Sequence, residues 1–293
     1  MRLFLLTALT MTAFAANSVL NRIALAQGSM DAVSFGVVRL VSGAMVLGLL
    51  CLVLRGRVEM RGRERIAGVL SLLVYFYGFS LAYRALDAGL GALILFGVVQ
   101  ITMFVGGIFA REAMPRRRWI GAGLAFAGLI WLLSPGAGPQ VSVLHGLLMA
   151  VAGVGWGVYS LSGRRSGDAL MSTAANFIWA APVGVIVWGV MPKGAEGLVL
   201  GGEGIALAIV SGAVTSGLGY ALWYSILPRL AASVAAVAQL TVPVIAMAGG
   251  MVFLGEALSL AFVLASALVL GGVAISVLPP GRRQARRISS SGS

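Results

Sequence analysis

Long apolar runs alternate along this chain with short connections that carry most of its charged residues. One run, ALILFGVVQITMFVGGIFA at residues 92–110, is apolar at almost every position and has a single amide, Gln100, near its middle. The runs are continuous and do not alternate at period two, which favours helices over the strands of a membrane barrel. Because a spanning helix needs about 20 apolar residues, the pattern is typical of a polytopic membrane protein.

The pattern predicts an all-α integral membrane protein with ten transmembrane helices and short connections. The predicted spans are residues 3–25, 32–54, 66–86, 89–109, 117–134, 143–163, 170–190, 204–225, 232–253 and 259–278. The first of them starts like a signal peptide, with a basic residue, an apolar stretch and an Ala-Phe-Ala ending. Its apolar character continues past this apparent cleavage site to Ala26, so we interpret it as a transmembrane helix.

Composition agrees with this interpretation, since 59% of the 293 residues are hydrophobic and 10% are charged, against roughly 25% charged residues in soluble domains. The net charge of +12 comes from basic residues in the connections. If the N-terminus is inside, 17 of the 21 basic residues lie on the inner side. The positive-inside rule then predicts cytoplasmic N- and C-termini in a bacterial-type inner membrane, and no nucleic acid partner.

Landmarks in the first half recur in the second, most of them after a shift of 142 residues. The matching triplets are Phe14, Asn17 and Arg22 in the first half and Trp156, Tyr159 and Arg164 in the second. Five spans in each half would invert the second relative to the first, as in many transporters. We therefore predict two repeats, residues 1–138 and 139–281, followed by a basic and polar tail, residues 282–293. Chance similarity among apolar helices is the alternative.

The same landmarks resemble the drug/metabolite transporter superfamily, with two EamA-type domains of five helices each. The resemblance rests on the aromatic-x-x-Asn/Tyr start of each half, on Arg39 in FGVVRL, and above all on LGEALSLAFVLASALVLGGV. In the first half AREAMPRR lacks the glycine of Leu-Gly-Glu, and Phe14 stands where Trp is usual. Within the superfamily the chain is similar to YddG-type aromatic amino-acid exporters. The resemblance implies export of amino acids, aromatic ones first, while other members move nucleotide sugars, drugs or sugar phosphates.

The sequence has few residues that an enzyme would need. It lacks the G-x-S-x-G, HExxH and P-loop motifs, and it has one cysteine, Cys51, and one histidine, His145. We predict no catalytic residue, no metal and no cofactor. A membrane-embedded enzyme and a non-transporting scaffold are the alternatives from other classes.

All nine carboxylates lie in connections or at span ends, whereas proton-driven carriers place acidic residues or histidine inside the membrane. Facilitative transport is therefore predicted, with coupling to protons through a helix-end carboxylate as the alternative. Asp31 and Asp168 are expected to cap the helices that follow them. Glu112 and Glu256 are expected to join helix ends to loops.

Polar and aromatic side chains within the spans form the candidate substrate site, because such groups normally face a bundle interior or a watery cavity. The candidate substrate-binding residues are Asn17, Tyr75, Phe79, Tyr83, Phe96, Gln100, Trp156, Tyr159, Tyr220, Trp223 and Gln239. For the amides the alternative is a hydrogen bond that only joins two helices. For the aromatic rings it is an interfacial position or packing.

A second group of residues is predicted to act in gating or in structure. Arg39 in the second span could bind a substrate carboxylate, but the resemblance places arginine here across varied substrates, which favours a structural or gating role. Gly106, Gly107, Gly249 and Gly250 are expected to let helices approach and bend, and Pro243 to kink a helix. Packing alone also explains these residues. The sequence is compatible with a monomer and with a homodimer.

Overall fold

The computed structural model describes residues 1–60, 62, 65–112, 114–134, 142–163, 167–191, 197–230 and 232–277. Helices make up nearly all of this part of the chain. They are α1 (Arg2–Ala26), α2 (Ala32–Arg55), α3 (Arg65–Ala82), α4 (Ala88–Phe109), α5 (Arg116–Leu133), α6 (Val143–Gly163), α7 (Ala169–Val190), α8 (Gly202–Val210), α9 (Gly219–Ile226), α10 (Ala232–Gln239), α11 (Thr241–Leu254) and α12 (Leu260–Val277). Arg164, Lys193 and the tail 282–293 lie outside the described residues.

Nine helical segments of the described residues are long and apolar enough to cross a membrane. One of them, Gly202–Arg229, joins α8 to α9 through a π-helical segment, Ser211–Leu218. Another, Val234–Leu254, combines α10 with α11. The eighteen residues of α5 begin with three arginines, and this helix is not among the nine. The structure is therefore all-helical, as predicted, and suited to a membrane.

Three predicted spans differ from the observed helices at their ends or in their interior. The third ends at Ala82 instead of residue 86, because tight turns closed by carbonyls of residues 79–82 lead the chain into α4. The eighth continues to Arg229, and the ninth is interrupted at Leu240. Each difference lies where the chain turns or changes helical pitch within a continuous apolar run.

The helices pack in a recurring pattern around the centre of the molecule. From the first half of the chain, α3 and α4 both pack on α6. From the second half, the segment from α8 to α9 and helix α11 both pack on α1. Three further pairs are α2 with α7, α4 with α11, and α5 with α12. These contacts bring α1, α3, α4, α6 and the segment from α8 to α9 together at the middle of the bundle.

One end of the bundle is closed by charged groups around Glu256, in the connection after α11. Both oxygens of its carboxylate accept a hydrogen bond from the amide of Ala88, at 3.0 and 2.9 Å, so Glu256 caps α4. Arg22 Nε lies 3.6 Å from Glu256, and Arg22 Nη2 lies 3.7 Å from Asp87. Burial raises the pKa of Glu256, and the charge of Asp87 acts in the same direction. The predicted link between this helix end and a loop is confirmed.

At the opposite end Arg55 of α2 donates a 2.6 Å hydrogen bond to Asp168, which precedes α7. Asp168 also caps α7 by accepting from the amide of Met171 at 3.0 Å. Burial acts to raise the pKa of Asp168, but these hydrogen bonds outweigh it and the pKa lies below its ordinary value. Glu112 pairs with Arg118 at 3.3 Å and joins the end of α4 to α5.

The connection between α1 and α2 also contains an aspartate that caps the following helix. Asp31 accepts a hydrogen bond from the amide of Ser34 at 2.9 Å and so caps α2. Its own amide donates to the carbonyl of Val199, and Met30 and Leu200 form a β-bridge. The predicted capping roles of Asp31 and Asp168 are confirmed.

Candidate functional site

A small cavity of about 10 Å³ lies where the central helices meet, with room for about one water molecule. Its walls come from α1, α3, α4, α6 and α9, and therefore from both halves of the chain. The lining residues are Phe14, Asn17, Ser18, Tyr75, Phe79, Leu95, Phe96, Trp156 and Tyr220. Six of the predicted substrate-binding residues are in this set: Asn17, Tyr75, Phe79, Phe96, Trp156 and Tyr220.

Aromatic rings form most of the cavity wall, with Trp156 among them. Its ring centroid lies 4.9 Å from that of Tyr220 and 5.1 Å from that of Tyr75. Tyr159 stacks on Trp156 with the centroids 5.5 Å apart, and Phe14 meets Tyr220 edge-on at 5.6 Å. Aromatic pairs attract at these separations, so the rings hold one another in position around the cavity.

Asn17 supplies the polar part of the wall. Its side-chain oxygen accepts hydrogen bonds from the hydroxyls of Ser211 at 2.9 Å, Thr215 at 2.5 Å and Ser216 at 3.2 Å. All four side chains are buried, and an unpartnered polar group would be costly there. This one oxygen therefore ties α1 to the π-helical segment of the other half.

The π-helical pitch explains how three hydroxyls reach the same oxygen. Residues four apart share a face in an α-helix, but a residue five apart points away from it. A wider π turn brings residues at spacings of four and five onto one face, as Ser211, Thr215 and Ser216 are here. Gly212 also lets this segment lie against α2, because a β-carbon there would meet the hydroxyl of Ser42 and the carbonyl of Arg39.

Arg39 extends the same network and is fully buried. Its Nε donates to the hydroxyl of Ser216 at 3.1 Å, and its Nη2 donates to the hydroxyl of Tyr75 at 3.0 Å. The guanidinium carbon lies 4.4 Å from the ring centroid of Phe76 and 4.8 Å from that of Phe79. The arginine therefore lies behind the aromatic wall and is joined to the cavity through two hydroxyls.

Three further predicted residues are buried against this wall without lining the cavity. Tyr83 contacts the ring of Phe79 at 4.7 Å and donates to the carbonyl of Ala88. Trp223 contacts Phe14 at 5.9 Å, and Tyr159 stacks on Trp156 as described above. They form a second layer of aromatic rings around the cavity.

The two glutamines lie elsewhere. Gln100 and Gln239 are half-buried and line no part of the central cavity. Gln100 lies one helical turn beyond Phe96, a residue of the cavity wall. Their roles in substrate binding stay predictions.

The four predicted glycines occupy close contacts. A β-carbon at Gly106 would meet Leu161 of α6, and one at Gly249 would meet Val19 of α1. One at Gly107 would meet the side chains of Met114 and Glu112, and one at Gly250 would meet Glu256. Pro243 is buried near the start of α11. Their roles in gating stay predictions.

Sequence reasoning gave no site role to the residues that complete the network, namely Ser18, Phe76, Ser211, Thr215 and Ser216, although it noted Ser216 on the same helix as Tyr220. The signal for the last three is the cluster of small and hydroxyl residues in SGAVTSG, at 211–217, within an otherwise apolar span. Phe14 marked the internal repeat but was not assigned to the site, although its ring lines the cavity.

Two larger cavities are open and apolar. One of about 610 Å³ lies among α2, α7 and α8, and one of about 670 Å³ lies among α1, α10 and α11. Neither contains a residue of the predicted substrate site. Ligand sites combine apolar walls with a few convergent polar groups, and the small central cavity has this combination. Among the described residues, no group of three or more His, Cys, Asp or Glu is arranged to bind a metal ion.

The described residues thus combine buried polar groups with helices long enough to cross a membrane, a combination that is common at transport pathways. The family model for EamA-like transporters matches residues 1–134 and again residues 144–278. The chain belongs to the EamA-like transporter family, which is part of the drug/metabolite transporter superfamily, with two EamA domains. This membership, together with its transporter-named relatives, identifies a transporter and not an enzyme.

Individual relatives agree with the family. An uncharacterized protein of Pseudomonas aeruginosa is 45% identical, covering 97% of this chain and 98% of the relative. A Salmonella typhimurium protein named "Probable amino-acid metabolite efflux pump" is 24% identical, covering 74% of this chain and 78% of its own length. A protein crystal structure that is 20% identical shares the fold, with a TM-score of 0.62 over 95% of this chain and 98% of the other.

Proposed function

We propose that the protein exports amino acids, aromatic ones first, by facilitative alternating access through the central cavity. The observation that carries the proposal is the cavity itself, where rings from both halves surround a buried amide and an arginine network. Aromatic walls suit an apolar side chain, and neutral polar groups suit the charged ends of a zwitterion. The Salmonella relative's name, together with the resemblance to YddG-type exporters, supports this substrate class.

The proposed topology has ten transmembrane helices in two inverted repeats, residues 1–138 and 139–281, with both termini in the cytoplasm of a bacterial-type cell. The helix packing supports this topology. If each span is exchanged with the span five later, the contact of α4 with α6 becomes the contact of α11 with α1, and the pair of α2 and α7 maps onto itself. Gly106 against α6 and Gly249 against α1 are equivalent under the same exchange.

Opening of the cavity is the central step of the proposed cycle. A cavity of about 10 Å³ is far smaller than the roughly 300–1,000 Å³ of small-molecule sites. The helices must therefore separate to admit a solute. The group around Glu256 would release on the outer side and the Arg55–Asp168 pair on the inner side. The glycine contacts of α4 and α11, with Pro243, would take up the bending.

A proton-coupled antiporter of the same fold is the second candidate. It is favoured by Glu256, a buried carboxyl at a helix end whose pKa is raised. Proton binding there would weaken its attraction to Arg22 and so affect opening of that end of the bundle.

Efflux from proteoliposomes tests the proposal and separates the two candidates. Vesicles containing the full chain are loaded with radiolabelled phenylalanine, tyrosine, tryptophan, leucine or lysine, with no pH or sodium gradient across the membrane. We expect efflux of the aromatic amino acids to be fastest and to exceed that of empty vesicles. Absence of flux for every amino acid tested would refute the exporter proposal, and flux only with a proton gradient would favour the antiporter.

A further inference from the structure

We infer that Arg39 is the anion-binding group of the central site and takes the carboxylate of the transported solute. This inference rests on the proposed function and deepens it, because it assigns the charged group that selects the substrate. It differs from the structural or gating role that sequence reasoning favoured for this residue.

In the part of the chain that the structure describes, no acidic residue balances the charge of Arg39. Its side chain is fully buried, and no ion pair joins it to a carboxylate among the described residues. A buried charge is costly unless it is paired and hydrogen-bonded. Among the described residues, the compensation comes from the hydroxyls of Ser216 and Tyr75 and from three aromatic rings.

One nitrogen of the guanidinium has hydrogen atoms to donate and no acceptor. Arg39 Nη1 is buried and makes no hydrogen bond, whereas Nε and Nη2 donate to neutral hydroxyls. A carboxylate brings the opposite charge and can accept two parallel hydrogen bonds from one guanidinium, which a neutral hydroxyl cannot do. A carboxylate can therefore bind Nη1 and displace a hydroxyl from Nη2, which gives the bidentate geometry that arginine favours.

The position of Arg39 makes it reachable from the cavity. Tyr75 and Phe79, which contact the guanidinium, line the cavity, and Ser216 shares the oxygen of Asn17, which also lines it. A rotation of the Tyr75 hydroxyl away from Nη2 would expose the arginine to a solute held among the rings.

The single positive charge of Arg39 determines which class of anion the site can bind. One guanidinium balances a monoanion such as a carboxylate, whereas a dianionic phosphate would leave a negative charge buried without a partner. A cationic amine without a carboxylate would be repelled. The geometry therefore favours a monocarboxylate attached to an aromatic or apolar group.

Equilibrium binding to the purified full-length protein tests this assignment. Three probes compete with radiolabelled L-phenylalanine: unlabelled L-phenylalanine, 3-phenylpropionate, which lacks the amine, and L-phenylalaninamide, which lacks the carboxylate. The amide is expected to compete about tenfold to a hundredfold more weakly than L-phenylalanine, the loss that follows removal of a hydrogen bond to a charged group. The 3-phenylpropionate is expected to retain most of the competition.

Substitutions test whether the preference for a carboxylate depends on Arg39. Arg39→Gln should bring L-phenylalanine and its amide close to equal affinity, and Arg39→Lys should keep part of the preference because it keeps the charge. Arg84→Gln, which removes an exposed arginine, is the matched control and should bind as the unaltered protein does. If Arg39→Gln does not fold, the ligand series on the unaltered protein and on Arg39→Lys still decides.

Equal affinity of the unaltered protein for L-phenylalanine and its amide would overturn the role of Arg39 and leave the exporter proposal standing. A carboxylate preference that survives in Arg39→Gln would do the same. If neither L-phenylalanine nor L-leucine, nor their analogues without the amine, bind at all in direct measurements, both the site and the proposed function are wrong.

Discussion

The environment of Asn17 fixes the orientation of its side-chain amide and indicates its structural role. Three hydroxyls donate to its side-chain oxygen, so the oxygen must face the π-helical segment. Its amide nitrogen donates to the carbonyl of Ala13, at 3.5 Å in its own helix. The residue therefore acts as an acceptor that holds the two halves together beside the cavity.

Replacing Asn17 with alanine removes the acceptor shared by three buried hydroxyls. We expect Asn17→Ala to lower the free energy of unfolding by about 1–3 kcal/mol, the cost of buried polar groups left without partners. Transport should fall as well, because Ser216 then no longer positions Arg39. Thermal unfolding in detergent and efflux from proteoliposomes measure the two effects.

The matched control is Thr12→Ala in the same helix. Thr12 is exposed, and its hydroxyl donates to the carbonyl of Ala8 one turn earlier, so its loss should change neither quantity. Equal behaviour of the two variants would show that Asn17 has no special role.

Sequence could identify some site residues and not others, for a physical reason. Asn17, Tyr75 and Trp156 stand out because amides and large aromatic rings deep in an apolar span need buried partners. Ser211, Thr215 and Ser216 do not stand out, because a hydroxyl in a helix can bond to the carbonyl four residues earlier, as Thr215 also does. Gln100 stood out by the same rule and yet does not line the central cavity.

At the scale of an element, the π-helical segment Ser211–Leu218 places the hydroxyl side chains of the site on one face. The long apolar run of the eighth predicted span predicted a continuous helix here. An apolar run does not reveal a change of helical pitch. The widened turn depends on contacts with α1 and α2, which lie far away in the sequence. The interruption at Leu240 has a local cause, because Pro243 has no amide hydrogen to donate to the carbonyl of residue 239.

A side chain at Gly212 would move this segment away from α2. Gly212→Ala places a methyl group against Ser42 and the Arg39 backbone, so we expect a loss of about 1–3 kcal/mol of stability, as overpacking typically costs. The contact between Ser216 and Arg39 should weaken, and efflux should slow. Gly271→Ala is the control, because a β-carbon there meets nothing within 4 Å. A Gly212→Ala protein that is as stable and active as this control would contradict the proposed packing.

At the scale of the whole molecule, the closed end around Glu256 joins parts of the chain that are far apart in sequence. Its carboxylate links the connection after α11 to the start of α4 and to Arg22 of α1. The apolar pattern predicted an all-helical chain with long membrane-crossing segments, because crossing a bilayer requires length and hydrophobicity. It could not predict such contacts, since many carboxylates at span ends are equally able to cap a helix.

The raised pKa of Glu256 predicts how stability depends on pH. A carboxyl whose pKa is higher in the folded protein stabilises the fold below its ordinary pKa of 4.5. That stabilisation is lost as the pH rises through the raised value. The melting temperature of the unaltered protein should therefore fall more steeply from pH 4.5 upward than that of Glu256→Gln, which cannot titrate. Glu59→Gln, at an exposed ion pair, should keep the steep slope, and equal slopes in all three proteins would refute the prediction.

The dense contacts of Trp156 have a consequence for optical measurements. An indole packed against the rings of Tyr75, Tyr159 and Tyr220 is shielded from solvent and close to phenols that can transfer excitation energy to it. Separation of the two halves would hydrate the indole and lengthen those distances at the same time. In a variant that keeps Trp156 and replaces the other five tryptophans, the emission wavelength and intensity would report the proposed opening without an attached label.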